Sequence, residues 1–161
     1  MSTPSPRIKL LPEKTYLSVI KNSVGSNLFR HLYAEVNGEQ IDLLQDGSLS
    51  CALFVSSVLV LFKHLHDVHA TVDSTVKDLL KSGWRSAKKP TDGCILVWQE
   101  KDFGLQTGRH KHIGFYIGNK RAISNSDSLG HPVEHDWVFK GRDLEMILLA
   151  PKTTVKIRSK E

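Results

Sequence analysis

The stretch "GSLSCALFVSSVLVLF", residues 47–62, decides how this chain is read. A Gly/Ser loop runs straight into an apolar segment whose first residue is a cysteine, Cys51. From Cys51 to about His66 the run is apolar nearly all round, as a central buried helix is. Its length argues against a single strand, although Val55, Val58 and Val60 favour one locally. A cysteine at this place has two readings. It is a small hydrophobe packed into a core, or it is a nucleophile whose sulfur faces the first N–H groups of a helix.

Working outward, "EKTYLSVIKNS" (13–23) places Tyr16, Leu17 and Ile20 at helical spacing and predicts a short helix. In "FRHLYAEVNGEQIDLL" (29–44) the pair Asn37-Gly38 separates two alternating runs. Asn-Gly favours a type I′ turn, so a β-hairpin is expected, with a helix from Asn27 to Val36 ending at Gly38 as the alternative. After the central segment, "TVDSTVKDLLKSGW" (71–84) gathers Val72, Val76, Leu79 and Leu80 on one face and stops at Gly83. The last third changes period. "GCILVWQ" (93–99), "KHIGFYIG" (111–118), "RAISNS" (121–126) and "DLEMILLAP" (143–151) are short runs parted by turn residues, with "GNKR" as a tight turn between two of them. Helices followed by a meander of strands predict an α+β fold.

The 161 residues suffice for one domain with a real core. We expect a Pro- and Ser-rich flexible segment over 1–12, a single domain over 13–152 and a basic tail over 153–161. The formal charge is +5, but the basic residues are scattered, with dense groups only at "RSAKK" and "KIRSKE". Without interleaved aromatic and basic residues, no nucleic-acid partner is expected. Two cysteines are too few for a disulfide scaffold or a zinc module. The N-terminus has no continuous apolar core, and no segment reaches the roughly 20 residues of a membrane span. Cytosolic synthesis without a signal peptide, no membrane partner and a monomeric state are the expectations.

A thiol with a pKa near 8.5 is only about 3% thiolate at pH 7. A helix N-terminus and a neighbouring imidazole both correct that deficit. A histidine opens the run "HIGFYIGN" (112–119), and His112 at the start of a strand is placed to serve. A third polar group usually orients such an imidazole.

Three blocks carry a resemblance. "SCALFVSSVL" (50–59) resembles the "DCSGFVSYVL"-like nucleophile motif of the NlpC-type cell-wall peptidases, which are papain-like cysteine peptidases. "KPTDGCILVW" (89–98) is similar to that family's "xPGDLVFF" strand entry, and "HKHIGFYIGNKRAIS" (110–124) to its "HVGIYIGNGKMIH" hairpin. The blocks fall in family order across residues 45 to 137. The related CHAP amidases share the plan, and the strand ending at Trp98 leans toward them.

The resemblance implies a papain-like α+β fold in which Cys51 is the nucleophile and His112 the general base, later the acid for the leaving amine. Ser124 falls where the family carries a third polar residue, often His. Its neighbour Asn125 takes that place if the turn shifts by one residue. Gln45, six residues before Cys51, matches the spacing at which papain carries an oxyanion-hole glutamine; the backbone N–H of Cys51 is another donor. The resemblance further implies hydrolysis of an amide or isopeptide bond in peptidoglycan stem peptides through a thioester, with no metal or organic cofactor. An acyltransferase uses the same thioester. A wall enzyme without a signal peptide fits release by a phage-type holin or export by another route.

Departures from the pattern are Ser50 for the family Asp, Ala52-Leu53 for the small pair after the cysteine, and Pro90-Thr91-Asp92-Gly93 for "PGD". Leu53 and the serine at 124 keep a second reading open, a catalytically inactive binding module of the same fold. Ser50, Asp92, His110 and His131 are candidate substrate contacts. His135, in "GHPVEHDW" (130–137), follows the site, and Trp137 is either a wall or core. The pairs His64-x-His66 and His110-x-His112 lack the four ligands of a zinc site and are read as non-metal. Cys94 is read as a buried structural thiol.

Overall fold

The first helix begins on a proline, whose fixed φ suits a first turn where its missing N–H leaves no bond unmade. In a computed structural model describing residues 7–102, 109–139 and 142–152, this helix is α1 (Pro12–Asn22), and it buries Tyr16 and Ile20. The expected tail over 153–161 and the first half of the segment over 1–12 lie outside the described residues. Strands β1 (Tyr33–Val36) and β2 (Glu39–Asp42) pair antiparallel as a separate hairpin. Asn37 and Gly38 both have positive φ, 54° and 86°, which is the type I′ geometry. The helical alternative for this segment does not form.

Helix α2 (Cys51–Leu61) buries residues on every side, among them Phe54, Val55, Val58 and Leu59. It stops short of the expected His66. Lys63 turns left-handed at φ 59°, its N–H donates to the Val60 carbonyl at 2.9 Å, and the His64 N–H donates to the Leu59 carbonyl at 2.8 Å. That is a Schellman closure built on lysine instead of glycine, so the usual stop signal is missing from the sequence. Helix α3 (Val72–Lys81) is capped by Thr71, whose hydroxyl accepts from the Ser74 N–H. It closes at Gly83, at φ 89°, with the Trp84 N–H donating to the Leu79 carbonyl.

The remaining strands are β3 (Arg85–Ser86), β4 (Ile95–Asp102), β5 (Arg109–Tyr116), β6 (Arg121–Asn125), β7 (Pro132–Asp136) and β8 (Leu144–Leu149). Among the described residues they form one antiparallel six-stranded sheet in the order β3-β8-β4-β5-β6-β7. The β5–β6 turn has Asn119 and Lys120 at φ 50° and 59°, as "GNKR" predicts. Three helices and this sheet make the fold α+β. Strand β7 had no apolar alternation to announce it. It is an edge strand that starts on Pro132, where a missing N–H does no harm.

Strand alternation sorts the sheet into two faces. Ile95, Val97, Ile113, Phe115 and Ile123 pack against α2 in the main core, with Phe54 edge-on to Phe115 at 5.4 Å. Each such ring removed from water contributes about 2–3 kcal/mol. Cys94, Leu96, Trp98 and Ala122 lie on the other face with Trp137 and Phe139. Among the described residues no helix is long and apolar enough to cross a membrane.

Candidate functional site

The loop ahead of Cys51 is held from both sides. Arg30 donates two hydrogen bonds to the Asp46 carboxylate, at 2.6 and 2.7 Å. Asp42 accepts from His31 and from the N–H groups of Leu32, Leu44 and Asp46. Burial opposes the charge on Asp42, yet these four donors hold its carboxyl well below the usual range. Gly47, at φ 86°, backs onto Gly130, and its carbonyl accepts from Asn125 Nδ2 at 2.7 Å. The loop therefore delivers Cys51 to the first position of α2 on a fixed path.

Cys51 is 9% exposed, and the backbone N–H groups of Ile113 and Ala52 lie near enough to its sulfur to favour the thiolate. It opens onto a cavity of about 480 Å³ whose wall also includes His110, His112, Asp127 and Arg142. A larger cavity of about 690 Å³ lies elsewhere, beside Tyr16, His64 and Cys94. His64 there packs edge-on between Tyr16 and Trp84, which is a packing role. The smaller cavity holds the assembled polar groups and is the candidate site.

His112, on β5, is 2% exposed. Its Nε2 lies 2.9 Å from Ser124 Oγ on β6, and Ser124 Oγ lies 2.7 Å from His135 Nε2 on β7. Phe139 stacks on the His112 ring at 4.8 Å, and Trp98 lies 5.7 Å from it. The His112 Nδ1 is 4.0 Å from the Asp127 carboxylate, beyond hydrogen-bond range. Arg142 is 5% exposed. Its Nη1 donates to the carbonyls of Gln99 and His110, and Nη2 stands 3.8 Å from Asp127.

Burial dominates the electrostatics. It pushes the Cys51 thiol up to about 12, with the Asp127 carboxylate adding to the rise and the two N–H groups and Arg142 opposing it. It pushes His112 down to about 3, with Arg142 and His135 acting the same way. Both shifts favour the neutral thiol and neutral imidazole over a resting thiolate–imidazolium pair. Asp127 is raised by its partial burial and lowered by Arg142 and His110.

Of the candidates read from sequence, Cys51, His112 and His110 share the cavity wall, and Ser124 sits on the His112 ring. Asn125 does not reach His112. Alternation turns it to the opposite face of β6, where it bonds Gly47. Gln45 is exposed in a left-handed turn at φ 49° and is not part of the cavity wall. Ser50 is buried, with its hydroxyl directed to the Arg30 carbonyl at 3.5 Å, so it is closed to a substrate. Asp92 lines the larger cavity, ahead of the start of β4. His131 turns its Nδ1 to the Pro132 carbonyl and does not line the site. Cys94 is buried on the face of the sheet turned away from α2, and burial pushes its thiol up to about 11.

Sequence reading missed Asp127, Phe139 and Arg142, and gave His135 only a place along the site. Asp127 sits in a turn and Arg142 follows a loop, where no period marks a side chain as inward-facing. Among the described residues no three ligating side chains gather to hold a metal. No protein-family model matches the chain, and no curated protein matches it.

Proposed function

We propose that this chain is a cysteine-nucleophile hydrolase of the papain-like, NlpC/CHAP type, acting on an amide or isopeptide bond. One observation carries the reading. Cys51 at the N-terminus of α2 and His112 of β5 wall one cavity, with Nε2 of His112 engaged by Ser124. The second support is the resemblance of the three blocks, and it alone names peptidoglycan stem peptides as the substrate class.

Because both groups rest neutral, the proton moves during attack. Cys51 Sγ bonds to the substrate carbonyl carbon while its proton passes to His112 Nδ1. The carbonyl electrons move onto oxygen, where the Cys51 N–H and the positive end of α2 stabilise the charge. The imidazolium then returns the proton to the departing amine, leaving a thioester. Water activated by His112 hydrolyses the thioester. An acceptor amine in place of water makes the enzyme an acyltransferase.

The burial of Cys51 and His112 favours a second reading, a binding module of the same fold without catalysis. Alkylation separates the two. In the hydrolase, proton transfer to His112 during the attack lets iodoacetamide at pH 7 modify Cys51 at least about tenfold faster than Cys94 despite its higher thiol pKa, and His112→Asn removes the difference. Digestion of muropeptides by the native protein but not by Cys51→Ala then fixes the substrate class. Equal, slow labelling of both cysteines sinks the hydrolase reading.

A further inference from the structure

The side chains of His112, Ser124 and His135 leave little freedom over where their hydrogens lie. His135 Nδ1 stands 2.7 Å from the Asp136 carbonyl oxygen, which only accepts, so Nδ1 carries the hydrogen and donates. In the neutral ring Nε2 then accepts. Its partner at 2.7 Å is Ser124 Oγ, so the serine hydroxyl donates to His135. Ser124 has one hydrogen, and with it committed, the bond at 2.9 Å to His112 is donated by His112 Nε2–H. The lone pair of His112 is left on Nδ1, the nitrogen that the thiol chemistry needs.

We propose that His135 is a positioning residue which, acting through Ser124, locks His112 in the tautomer with its lone pair on Nδ1. Its catalytic meaning rests on the thiol-hydrolase reading. Ser124 by itself does not set this direction, because a free hydroxyl rotates and donates to either imidazole.

The surroundings fit the role. Register pairs Gly114 with Ser124 and Ala122 with His135, so alternation puts His112, Ser124 and His135 on one face of three adjacent strands. Gly114 lies between them. A Cβ there would stand 2.7 Å from both the Ser124 Cβ and the Ile123 carbonyl oxygen, so glycine is needed for the close approach. Phe139 stacks on His112 and meets His135 edge-on at 4.6 Å, and Trp98 lies 5.8 Å from His135. The rings pack against both imidazoles. Burial lowers the basicity of His135, with the neighbouring Arg121 acting the same way and Asp136 and Glu134 opposing, which keeps its Nε2 an acceptor.

The test is long-range proton–nitrogen NMR of the 15N-histidine-labelled full chain at pH 7, paired with the iodoacetamide rate at Cys51. Native protein is expected to show His112 as the Nε2–H tautomer. His135→Gln retains an acceptor for Ser124 and keeps both the tautomer and the rate. His135→Phe fills the aromatic pocket but offers no acceptor. It is expected to give mixed His112 tautomers and at least about tenfold slower alkylation. Should that variant not fold, His135→Asn, too short to reach Ser124, takes its place. A native His112 in the Nδ1–H form, an unchanged tautomer in the phenylalanine variant, or a changed tautomer with an unchanged rate overturns the proposal. If Cys51 is inert in the native protein while the tautomer still responds to His135, the lock stands and the hydrolase reading falls.

Discussion

Asn125 ties the end of β6 to the loop that precedes Cys51, its Nδ2 donating to the Gly47 carbonyl at 2.7 Å across 78 residues of chain. Gly47 in turn lies flat against the backbone of Gly130. Two adjacent residues of one strand thus divide the work. Ser124 faces the imidazole, and Asn125 faces the loop that carries Cys51.

Gly47→Ala should destabilise the protein by about 2–4 kcal/mol, combining left-handed backbone strain with overpacking. The new Cβ would stand 2.5 Å from the Gly130 carbonyl oxygen at φ 86°, and neither backbone has room to move. Gly38→Ala, at the same φ 86° but in open space, should cost only about 1 kcal/mol. Urea midpoints of the two variants check the contrast. Equal losses would mean that the Gly47–Gly130 contact yields under load.

Exchanging Ser124 and Asn125 singly for alanine should separate reactivity from stability. Ser124→Ala removes two buried hydrogen bonds, costing about 1–2 kcal/mol, and frees the His112 ring. The Cys51 alkylation rate should fall at least about tenfold. Asn125→Ala leaves the Gly47 carbonyl with only the Ser50 N–H at 3.3 Å and should cost about 1 kcal/mol, with a smaller effect on the rate of the folded protein. Rate constants measured well below each unfolding midpoint decide the matter. A larger rate loss from Asn125→Ala would assign it the orienting role instead.

The elements that could be read from sequence are those whose local chemistry agrees with their tertiary use. Asn37-Gly38 and "GNKR" specify left-handed turns, Gly83 specifies a helix stop, and each does so in the fold. The apolar circumference of α2 told of burial before any contact was known. Where that agreement is absent, reading failed. Lys63 ends α2 in a conformation more natural to glycine, and β7 is a half-exposed edge without alternation. In the site, Cys51 and His112 stood out because each opens an apolar run. Arg142 and Asp127 did not, because they meet only when β8 closes beside β4 and the turn after β6 folds over. His135 acquires its place from register across three strands, which no local pattern encodes.

Stability should fall with acid in two stages, and the sign follows from where protons bind. His112 (to about 3), His64 and His135 are lowered in the fold, chiefly by burial. The unfolded chain therefore takes up protons first as pH drops below about 6.5, and stability is lost toward the folded values. Each such histidine contributes a slope of up to about 1.4 kcal/mol per pH unit. Below about pH 4 the hydrogen-bonded carboxylates of Asp42 and Asp78, lowered in the fold, add their own loss, while the raised Asp127 works against it. Urea unfolding between pH 7 and pH 4.5 measures the first stage. His112→Gln should flatten the curve there, and an unaltered slope would show that His112 is protonated in the fold.

Arg142 lines the cavity with Cys51 and His112, and replacing it should alter both fold and thiol. Its Nη1 joins the carbonyls of Gln99 and His110, bracing β4 against β5. Its charge also opposes the rise in the Cys51 thiol and faces Asp127. Arg142→Gln should therefore cost about 1–2 kcal/mol by removing its hydrogen bonds to the Gln99 and His110 carbonyls. Asp127 would then push the thiol still higher, so the pH at which iodoacetamide labelling accelerates should move up in the variant. The Asp127→Asn, Arg142→Gln double variant separates the two effects. If Asp127 transmits the electrostatic part, the double variant recovers the thiol's pH profile but not the stability. If the single variant leaves the labelling profile in place, Arg142 is a brace between strands and takes no part in tuning the sulfur.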